Sequence, residues 1–315
     1  MNLVKVSVII PTYNRKEEIK DAIASLSKQT YPPELYEVVV VDDGSTDGTI
    51  NLLQKLSENT NINLKFLYQE NKGPGAARNH GIKFSNGDII CFMDSDCIAD
   101  PKWIEAHVRS YTEKDIGGVG GSVLPYDASS LISRYADLYE YQLRVFKNNL
   151  LKYVNTSNAS FRRSVLEVVN GFDENIIYTE DKDLSIRVRK AGYKLKFSED
   201  AIIFHKHRRS MFDMLRRSYC YAKYGSYLLY KKYPDDFSFY LALVYANLRI
   251  MINIIFYPYF FVKSLLSDDV LLNAARPVIQ SLILLSRVAG WLSAAIYYNS
   301  GEFKMISSKD ENSEI

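Results

Sequence analysis

The chain of 315 residues carries 39 Lys and Arg against 37 Asp and Glu, a formal net charge of +2. This balance excludes the basic character that nucleic-acid-binding chains usually show over their whole length, so no nucleic acid partner is expected. Three cysteines without zinc-type spacing exclude a disulfide framework and indicate a reducing compartment, while the length predicts one or two domains.

The first hundred residues alternate between predicted strands and predicted helices. Apolar runs predict strands at residues 4–10, 36–41, 64–68 and 88–93. Helical spacing of apolar residues predicts helices at residues 17–27, 49–56 and 76–84. The first run lacks a small-residue cleavage site, so it is typical of a strand and not of a signal peptide. This alternation predicts a parallel sheet with helices on both faces.

Polar side chains follow three of these strands, where parallel strands would end at one edge of the sheet. They are Pro11, Thr12 and Tyr13 after the first strand, Asp42 and Asp43 after the second, and Asp94, Ser95 and Asp96 after the fourth. Tyr13 could stack on a base, and Asp43 could accept from a base or a ribose hydroxyl. A surface aromatic residue and an ordinary turn are the alternative interpretations.

Asp94 and Asp96 stand one residue apart, so in an extended chain both side chains point to the same side. Open α/β sheets bind their ligands at the carboxyl ends of strands. Two carboxylates there suit Mg²⁺ or Mn²⁺ holding a diphosphate. A solvated turn before Pro101 is the alternative that this short motif leaves open.

A glycine-rich loop at residues 71–75 precedes the predicted helix that carries Arg78. Backbone N–H groups at a helix start, together with one guanidinium group, would suit a diphosphate. The first strand is not followed by a GxGxxG sequence, which argues against a dinucleotide-binding fold of the NAD type.

The middle of the chain contains candidates for the acceptor side. Patterns predict strands at residues 115–123, 155–161 and 195–203, the last of them followed by His205. A predicted helix at residues 131–147 carries tyrosines at 135, 139 and 141, which are expected on an acceptor wall. Asp181 stands near the start of another predicted helix, where a helix cap is the simplest interpretation.

The C-terminal hundred residues are basic and then strongly apolar. Residues 205–233 contain eight Lys or Arg and one acidic residue, Asp213, which favours an interfacial helix on an anionic leaflet over a nucleic-acid patch. Residues 237–262 and 277–298 are long enough to span a bilayer, and each contains one charge, Arg249 or Arg287.

An arginine in the middle of a membrane span costs about 2.5–3.5 kcal/mol of insertion free energy. A helix that faces only lipid would therefore be unfavourable here. We expect the two arginines to face a helix partner or an acceptor phosphate, or the helices to lie in the interface. A soluble helical extension is the remaining alternative. If the segments span, the preceding basic run places the catalytic region in the cytoplasm.

Four segments in this order and spacing resemble family 2 glycosyltransferases of the GT-A fold: VSVIIPTYNR, VVVVDDGSTDGT, ENKGPGAARNHG and GDIICFMDSDC. The resemblance covers residues 4–210 and implies an α/β fold with a mostly parallel sheet flanked by helices. It implies a catalytic domain at residues 1–210, with a nucleotide-sugar half at 1–100 and an acceptor half at 101–210. A helical membrane-associated region at 211–306 and a polar tail at 307–315 would follow.

The resemblance also implies an activity and a set of site residues. The reaction would be inverting transfer of a sugar from a UDP- or GDP-type nucleotide sugar, with Mn²⁺ or Mg²⁺. Donor contacts would come from Pro11, Thr12, Tyr13 and Asp43 at the base, Gly73 and Arg78 at the ribose or diphosphate, and Asp94 with Ser95 at the ribose side. Asp96 would bind the metal, with His205 as a second ligand. Thr179-Glu180-Asp181 matches the Glu-Asp motif of the family, so Asp181 would be the general base and Glu180 its positioning neighbour.

The sequence therefore predicts a membrane-associated, metal-dependent enzyme that transfers one sugar to a lipid-linked or cell-surface glycan acceptor. The segment MLRRSYCYAKYG lacks the tryptophan of the Gln-x-x-Arg-Trp motif found in the processive members of the family, which argues against polymer synthesis. Two alternatives stay open: a polyprenyl-phosphate sugar synthase, with Arg249 or Arg287 at the lipid phosphate, and a non-catalytic nucleotide-sugar-binding protein. A nucleotidyltransferase is disfavoured because no phosphate-binding glycine loop follows the first strand.

Overall fold

The computed structural model of the chain describes residues 4–127, 129–139, 150–206, 210–236, 238–267 and 269–299. Its strands are β1 (Val6–Thr12), β2 (Tyr36–Asp42), β3 (Asn63–Tyr68), β4 (Ile89–Met93), β5 (Cys97–Ala99), β6 (Ile116–Pro125), β7 (Asn158–Arg162) and β8 (Lys194–His205). Within the described residues these strands form one sheet in the order β3-β2-β1-β4-β7-β6-β8-β5.

Helices flank the sheet and form the C-terminal part of the chain. Those around the sheet are α1 (Lys16–Leu26), α2 (Thr49–Glu58), α3 (Pro74–Lys83), α4 (Trp103–Arg109), α6 (Arg163–Val168) and α7 (Glu180–Lys190). The others are α5 (Leu131–Tyr139), α8 (Met211–Tyr221), α9 (Tyr227–Lys232), α10 (Phe239–Ile255), α11 (Tyr257–Ser264) and α12 (Val270–Asn299). A π-helical turn, Ala222–Ser226, joins α8 to α9.

The predicted parallel arrangement of the first four strands is confirmed. β1 pairs in parallel with β2 and with β4, and Thr12 lies opposite Asp42 in the register. The apolar residues of β1, β2 and β4 are almost fully buried, because helices cover both faces of the sheet. The carboxyl ends of these three strands therefore lie side by side.

The second half of the sheet is mixed. β7 runs antiparallel to both β4 and β6, β8 runs parallel to β6, and the short β5 pairs antiparallel with β8. The predicted fold class, an α/β sheet flanked by helices, is confirmed, and four of the seven pairings in the described residues are parallel. The apolar pattern of a short strand does not encode its direction, so the antiparallel position of β7 could not be predicted.

Two apolar clusters cover the two faces of the sheet. Alternate residues of β1 contribute to each: Val8 and Ile10 pack with α1 and α4 on one face, and Ile9 packs with α3 and α7 on the other. Since side chains alternate along a strand, a continuous apolar run is what a sheet buried on both faces requires.

The predicted apolar segment at residues 237–262 is not one helix. α10 ends at Ile255 and α11 begins at Tyr257, and the two helices meet at 63°. Pro258 explains the break, because its ring lacks an N–H group and clashes with the preceding helical turn. Position 237 itself lies outside the described residues.

The second apolar segment begins earlier than predicted. α12 starts at Val270 and continues through Pro277, and its 27 residues Val270–Ile296 are long and apolar enough to cross a membrane. In the described residues the bent pair α10–α11 meets that criterion only if it counts as one broken span. Both arginines contact another helix: Arg249 Nε lies 3.4 Å from Gln280 Oε1, and Arg287 Nε donates to Ser218 Oγ at 3.0 Å.

Candidate active site

A cavity of about 430 Å³ opens where β1, β2 and β4 end. The residues predicted from the sequence that line it are Pro11, Thr12, Tyr13, Asp43, Gly73, Arg78, Asp94, Ser95, Asp96, Glu180 and His205. Asp181 does not line the cavity itself, although it follows Glu180 directly on α7. The structure thus brings together residues that are nearly 200 positions apart in the chain.

Asp43 fastens the glycine-rich loop to the end of β2. Its carboxylate accepts hydrogen bonds from the backbone N–H groups of Lys72 and Gly73, both at 2.9 Å, and from Gln69 Nε2 at 2.8 Å. Burial raises the pKa of Asp43, and these three donors partly offset the rise. The loop therefore keeps a fixed shape at the wall of the cavity.

Arg78 lies between two carboxylates. Its Nη2 donates to Asp94 Oδ1 at 2.8 Å and its Nη1 donates to Glu180 Oε1 at 2.6 Å, while the side chain is only 4% exposed. Burial alone would lower the pKa of Arg78. The negative charges of Asp94 and Glu180 have the larger effect, so the pKa of Arg78 is raised. The guanidinium also lies 5.7 Å from the centre of the Phe172 ring. Arg78 thus joins the end of β4 to the start of α7.

Glu180 and Asp181 occupy the first turn of α7. Burial raises the pKa of Glu180 to about 7, against the pull of Arg78, and the charge of Asp181 adds to the rise. Burial also raises the pKa of Asp181. The N-cap of α7 is Thr179, so Asp181 is not the helix cap. Asp181 Oδ1 accepts from the backbone N–H of Lys182 at 2.8 Å, and in the described part of the chain Oδ2 has no such partner.

Asp96 and His205 face each other although 109 positions separate them. β5 and β8 pair so that Cys97 lies opposite His205, and this brings His205 Nε2 within 3.4 Å of Asp96 Oδ1. The other oxygen of Asp96 forms an ion pair with Arg15 Nη1 at 2.7 Å. One donor atom each from Asp96, Cys97 and His205 lies within 4.8 Å of the others.

The chemistry of this group fits a divalent metal ion. Burial lowers the pKa of His205, which keeps the imidazole neutral and able to coordinate. Burial alone would raise the pKa of Asp96, but its pKa is lowered overall, and with His205 neutral the charge and hydrogen bond of Arg15 keep the carboxylate ionised. Burial also raises the pKa of Cys97 well above its usual value, so its thiol stays protonated and is a poor ligand. One carboxylate oxygen and one imidazole nitrogen are therefore the available protein donors.

Several residues that line the cavity were not predicted from the sequence. Asn71 and Pro74 also line it, but they belong to the loop that the sequence predicted at residues 71–75. The unpredicted residues are Arg15, Ile177, Tyr178, Arg216, Arg217, Cys220 and Tyr221. Arg15 is the last residue of the segment VSVIIPTYNR, so the sequence contained a signal that it lies near the end of the first strand. The last four belong to α8, in the segment that the sequence assigned to the membrane-associated region.

One tyrosine of the predicted acceptor wall, Tyr135, lies elsewhere in the structure. Tyr135 is buried in a cluster with Met214 of α8 and Leu272 of α12, away from the cavity. Residues 140–147 of the predicted helix, including Tyr141, lie outside the described residues. The aromatic residues that do line the cavity beside α7 are Tyr178 and Tyr221, whose rings meet edge to face at 5.1 Å.

Comparison with known proteins identifies relatives across most of the chain. The family model described as Glycosyl transferase family 2 matches residues 7–169, and the model described as Glycosyl transferase family group 2 matches residues 89–298. Glycosyltransferase AglE of Haloferax volcanii is 35% identical over 223 residues, 69% of this chain and 72% of that protein. The glucosyl-dolichyl phosphate glucuronosyltransferase of the same organism is 30% identical over 263 residues, 75% of this chain and 82% of that protein.

Solved structures of low sequence identity share the fold. The mannosyltransferase PcManGT from Pyrobaculum calidifontis, in complex with GDP-Man and Mn²⁺, has a TM-score of 0.58 at 18% identity and covers 98% of this chain and 79% of its own. S. aureus TarS 1-349 in complex with UDP has a TM-score of 0.52 at 19% identity, over 95% of this chain and 92% of its own. The sheet, the cavity at its edge and these relatives lead to one conclusion: the chain belongs to glycosyltransferase family 2 and is a glycosyltransferase of the GT-A fold.

Proposed function

We propose that this glycosyltransferase transfers one sugar, with inversion, from a UDP- or GDP-type nucleotide sugar to a lipid-linked or cell-surface glycan acceptor. The observation that carries the proposal is the convergence on one cavity of Asp43, the Asp96–His205 pair and the start of α7. The proposed donor site, the proposed metal site and the proposed base thus lie close to one edge of the sheet.

The nucleotide is proposed to lie over the ends of β1 and β2. Tyr13 offers a ring for the base, and Asp43 holds the loop that begins the neighbouring helix α3. The backbone N–H groups at the start of α3 favour a negatively charged ligand. The structures that share this fold include one with GDP-Man and one with UDP, which supports a nucleoside diphosphate donor here.

Asp96 and His205 are proposed to hold the metal ion. Mixed oxygen and imidazole donors suit Mn²⁺ better than Mg²⁺. When bound, the ion would neutralise charge that develops on the departing diphosphate. Arg15 keeps the second oxygen of Asp96 in a defined orientation.

Asp181 is proposed as the general base. The oxygen of an acceptor hydroxyl attacks the anomeric carbon from the face opposite the diphosphate, and the bond from that carbon to the diphosphate oxygen breaks. The hydroxyl proton passes to the Asp181 carboxylate as the new bond forms. Burial raises the pKa of Asp181, which makes it a stronger base than an exposed aspartate. Glu180 is held by Arg78 and is proposed to position the acceptor or α7.

Association with a membrane is proposed from the C-terminal helices. They expose large apolar side chains, including Leu241, Val244, Leu248, Ile254, Phe261, Val262, Leu271, Leu285, Leu292 and Ile296. An exposed apolar surface of this extent marks an interaction site. Basic residues precede it in the chain, which favours a catalytic region on the cytoplasmic side.

A polyprenyl-phosphate sugar synthase is the second candidate. Arg287 is exposed on α12, and its charge lowers the pKa of Lys182, next to Asp181, in addition to the larger effect of burial. Arg287 is therefore a cation near the proposed base. In a polyprenyl-phosphate sugar synthase it would bind the lipid phosphate, which would itself be the nucleophile. Arg249 contacts Gln280 and is the weaker candidate for this role. A non-catalytic nucleotide-sugar-binding protein is disfavoured because the comparisons show a glycosyltransferase.

A donor screen tests the proposal. UDP-, GDP- and CMP-sugars are each added with Mn²⁺ to the full chain, and the melting temperature is measured. A UDP- or GDP-sugar at 100 times its Kd should stabilise the fold by about 2.7 kcal/mol, and the free sugar should give no shift. His205→Ala should reduce the Mn²⁺-dependent part of that shift. If no nucleotide sugar stabilises the protein, the proposed donor class is wrong.

A further inference from the structure

The segment from α8 to Tyr233, residues 211–233, is here called the helical arm. Its first helix contributes Arg216, Arg217 and Tyr221 to the wall of the donor cavity. The same arm contacts α7, which carries Asp181, at two separate points. The two contacts are independent of the hydrogen bonds that α7 makes to the sheet side through Arg78.

The first contact is made by the π-helical turn. A Cβ atom at Gly225 would lie 2.8 Å from the carbonyl oxygen of Tyr178 and 2.9 Å from Thr179 Cγ2, so a larger residue would push the two segments apart. Thr179 is completely buried and has a φ of 66°, a left-handed conformation that is unfavourable for a β-branched residue. The arm is therefore in close contact with Thr179, a strained residue directly before Glu180 and Asp181.

The Tyr178 side chain strengthens this contact. Its ring meets Tyr221 edge to face at 5.1 Å and stacks on Tyr224 at 6.4 Å. Arg217 lies 5.3 Å from the centre of the Tyr221 ring on the cavity side. Aromatic rings at these distances attract one another, so these contacts hold the loop before α7 against the cavity wall.

The second contact lies one turn further along α7. Asp183 is completely buried, and its carboxylate accepts from Tyr233 Oη at 2.7 Å. Lys232 Nζ donates to Asp173 at 2.6 Å and forms an ion pair with Asp183 at 2.8 Å. Arg187, also on α7, lies 2.7 Å from the other oxygen of Asp183. Burial and the bond to Asp183 raise the pKa of Tyr233 to about 12, so the hydroxyl remains a donor at neutral pH. A buried carboxylate with these partners holds the end of the arm firmly against α7.

On its opposite side the arm is held by α12. Ser286 Oγ donates to the carbonyl of Leu215 at 2.6 Å, and Arg287 Nε donates to Ser218 Oγ at 3.0 Å. Gly290 packs against the backbone of Tyr219, where a Cβ atom would be 2.5 Å from the carbonyl oxygen. The arm is thus enclosed between α7 and the apolar helix.

We infer that the helical arm positions the general base: Gly225, Lys232 and Tyr233 set the orientation of α7, and hence of Asp181, against the donor cavity that the arm also lines. The inference rests on the proposed function, which makes Asp181 the base. These three are positioning residues, because none of them lines the cavity. A misplacement of about 1 Å at a reacting group can cost about 100-fold in rate, so loss of one contact should appear in kcat.

Tyr233→Phe and Lys232→Gln test the inference in the full chain. Tyr233→Phe keeps the ring and removes only the hydroxyl, so the protein should fold. The donor is the UDP- or GDP-sugar that the melting screen identifies. Each substitution should lower kcat about 10- to 100-fold at 20 °C, well below the melting temperature, and leave the donor Kd within about twofold. Lys232→Arg, which keeps the cation, should restore most of the rate.

Lys231→Gln is the matched control, because this neighbour lies over the Tyr227 ring and not at Asp183. Its kcat should stay near that of the wild type. The inference is overturned if Tyr233→Phe and Lys232→Gln lower the melting temperature but keep kcat, since the arm then only stabilises the fold. Asp181→Asn separates this failure from a wider one. If that variant is inactive while the arm variants are active, the positioning role alone is wrong; if it retains full activity, the proposed base is wrong.

Discussion

The guanidinium of Arg78 lies 2.6 Å from the carboxylate of Glu180, a residue 102 positions later in the chain. This contact joins the half of the sheet that ends at the cavity to the helix that begins with Glu180 and Asp181. Asp94 accepts from the other nitrogen of the same guanidinium at 2.8 Å. One buried cation therefore fixes the distance between the proposed donor site and the proposed base.

Arg78→Met should destabilise the fold strongly. Removal of one partner from a buried ion pair leaves an uncompensated charge and costs about 3–5 kcal/mol. Urea unfolding followed by circular dichroism measures the change. Arg109→Gln, at an exposed pair with Glu105, is the control and should cost less than about 1 kcal/mol. Equal effects of the two substitutions would show that the Arg78 network contributes little.

Asp96→Asn and His205→Ala should each weaken Mn²⁺ binding in the presence of UDP or GDP. Loss even of a residue that only supports a metal ligand costs about 10- to 100-fold in affinity, so loss of a ligand should cost at least as much. Electron paramagnetic resonance of free Mn²⁺ measures the affinity. Cys97→Ser is the control, because the buried thiol is protonated. A larger loss of Mn²⁺ affinity with Cys97→Ser than with His205→Ala would show that the proposed metal ligands are wrong.

The rate of sugar transfer should fall as the pH is lowered. Asp181 accepts a proton only when ionised, and burial raises its pKa above the ordinary value for aspartate, so the acid limb of kcat/KM should lie above that value. The charge of Lys182 lowers the pKa of Asp181 and partly offsets the effect of burial. Lys182→Gln should therefore move the acid limb to higher pH, whereas Glu105→Gln, at the surface pair with Arg109, should leave it in place. A shift to lower pH with Lys182→Gln would contradict this coupling.

Val244→Ser combined with Leu248→Ser should reduce binding to vesicles of anionic phospholipid. The two side chains are 62% and 53% exposed on α10, and full burial of such a side chain is worth about 1.5–3 kcal/mol. Co-sedimentation should show at least about a tenfold loss in partitioning. Val168→Ser, with 63% exposure on α6, is the control and should bind as the wild type does. If the double variant binds vesicles as well as the wild type does, α10 does not contribute to membrane binding.

The donor half of the site could be predicted from the sequence, because parallel strands end at the same edge. The three apolar runs that were predicted near Pro11, Asp42 and Asp94 are strands β1, β2 and β4, and no boundary differs from the predicted one by more than two residues. Pattern and chain order were sufficient there, since each strand is followed at once by residues that line the cavity.

The other half depends on packing that no local pattern encodes. Asp96 meets His205 through the three-residue strand β5, which is too short to give an apolar run. Arg216 and Arg217 reach the cavity because α8 packs on α12 and its last residue, Tyr221, contacts Tyr178 in the loop before α7. Their basic segment had instead indicated a membrane surface. Pro258 was visible in the sequence, but the 63° bend that it produces was obscured by the apolar composition around it.

The most direct test of the account is the transfer rate of Asp181→Asn, measured together with its donor affinity. The asparagine keeps the size of the side chain and cannot take the acceptor proton. Loss of a general base costs about 100- to 10,000-fold, so kcat should fall by that factor while the Kd for the nucleotide sugar stays the same. Turnover near the wild-type rate with unchanged donor binding would show that Asp181 is not the base.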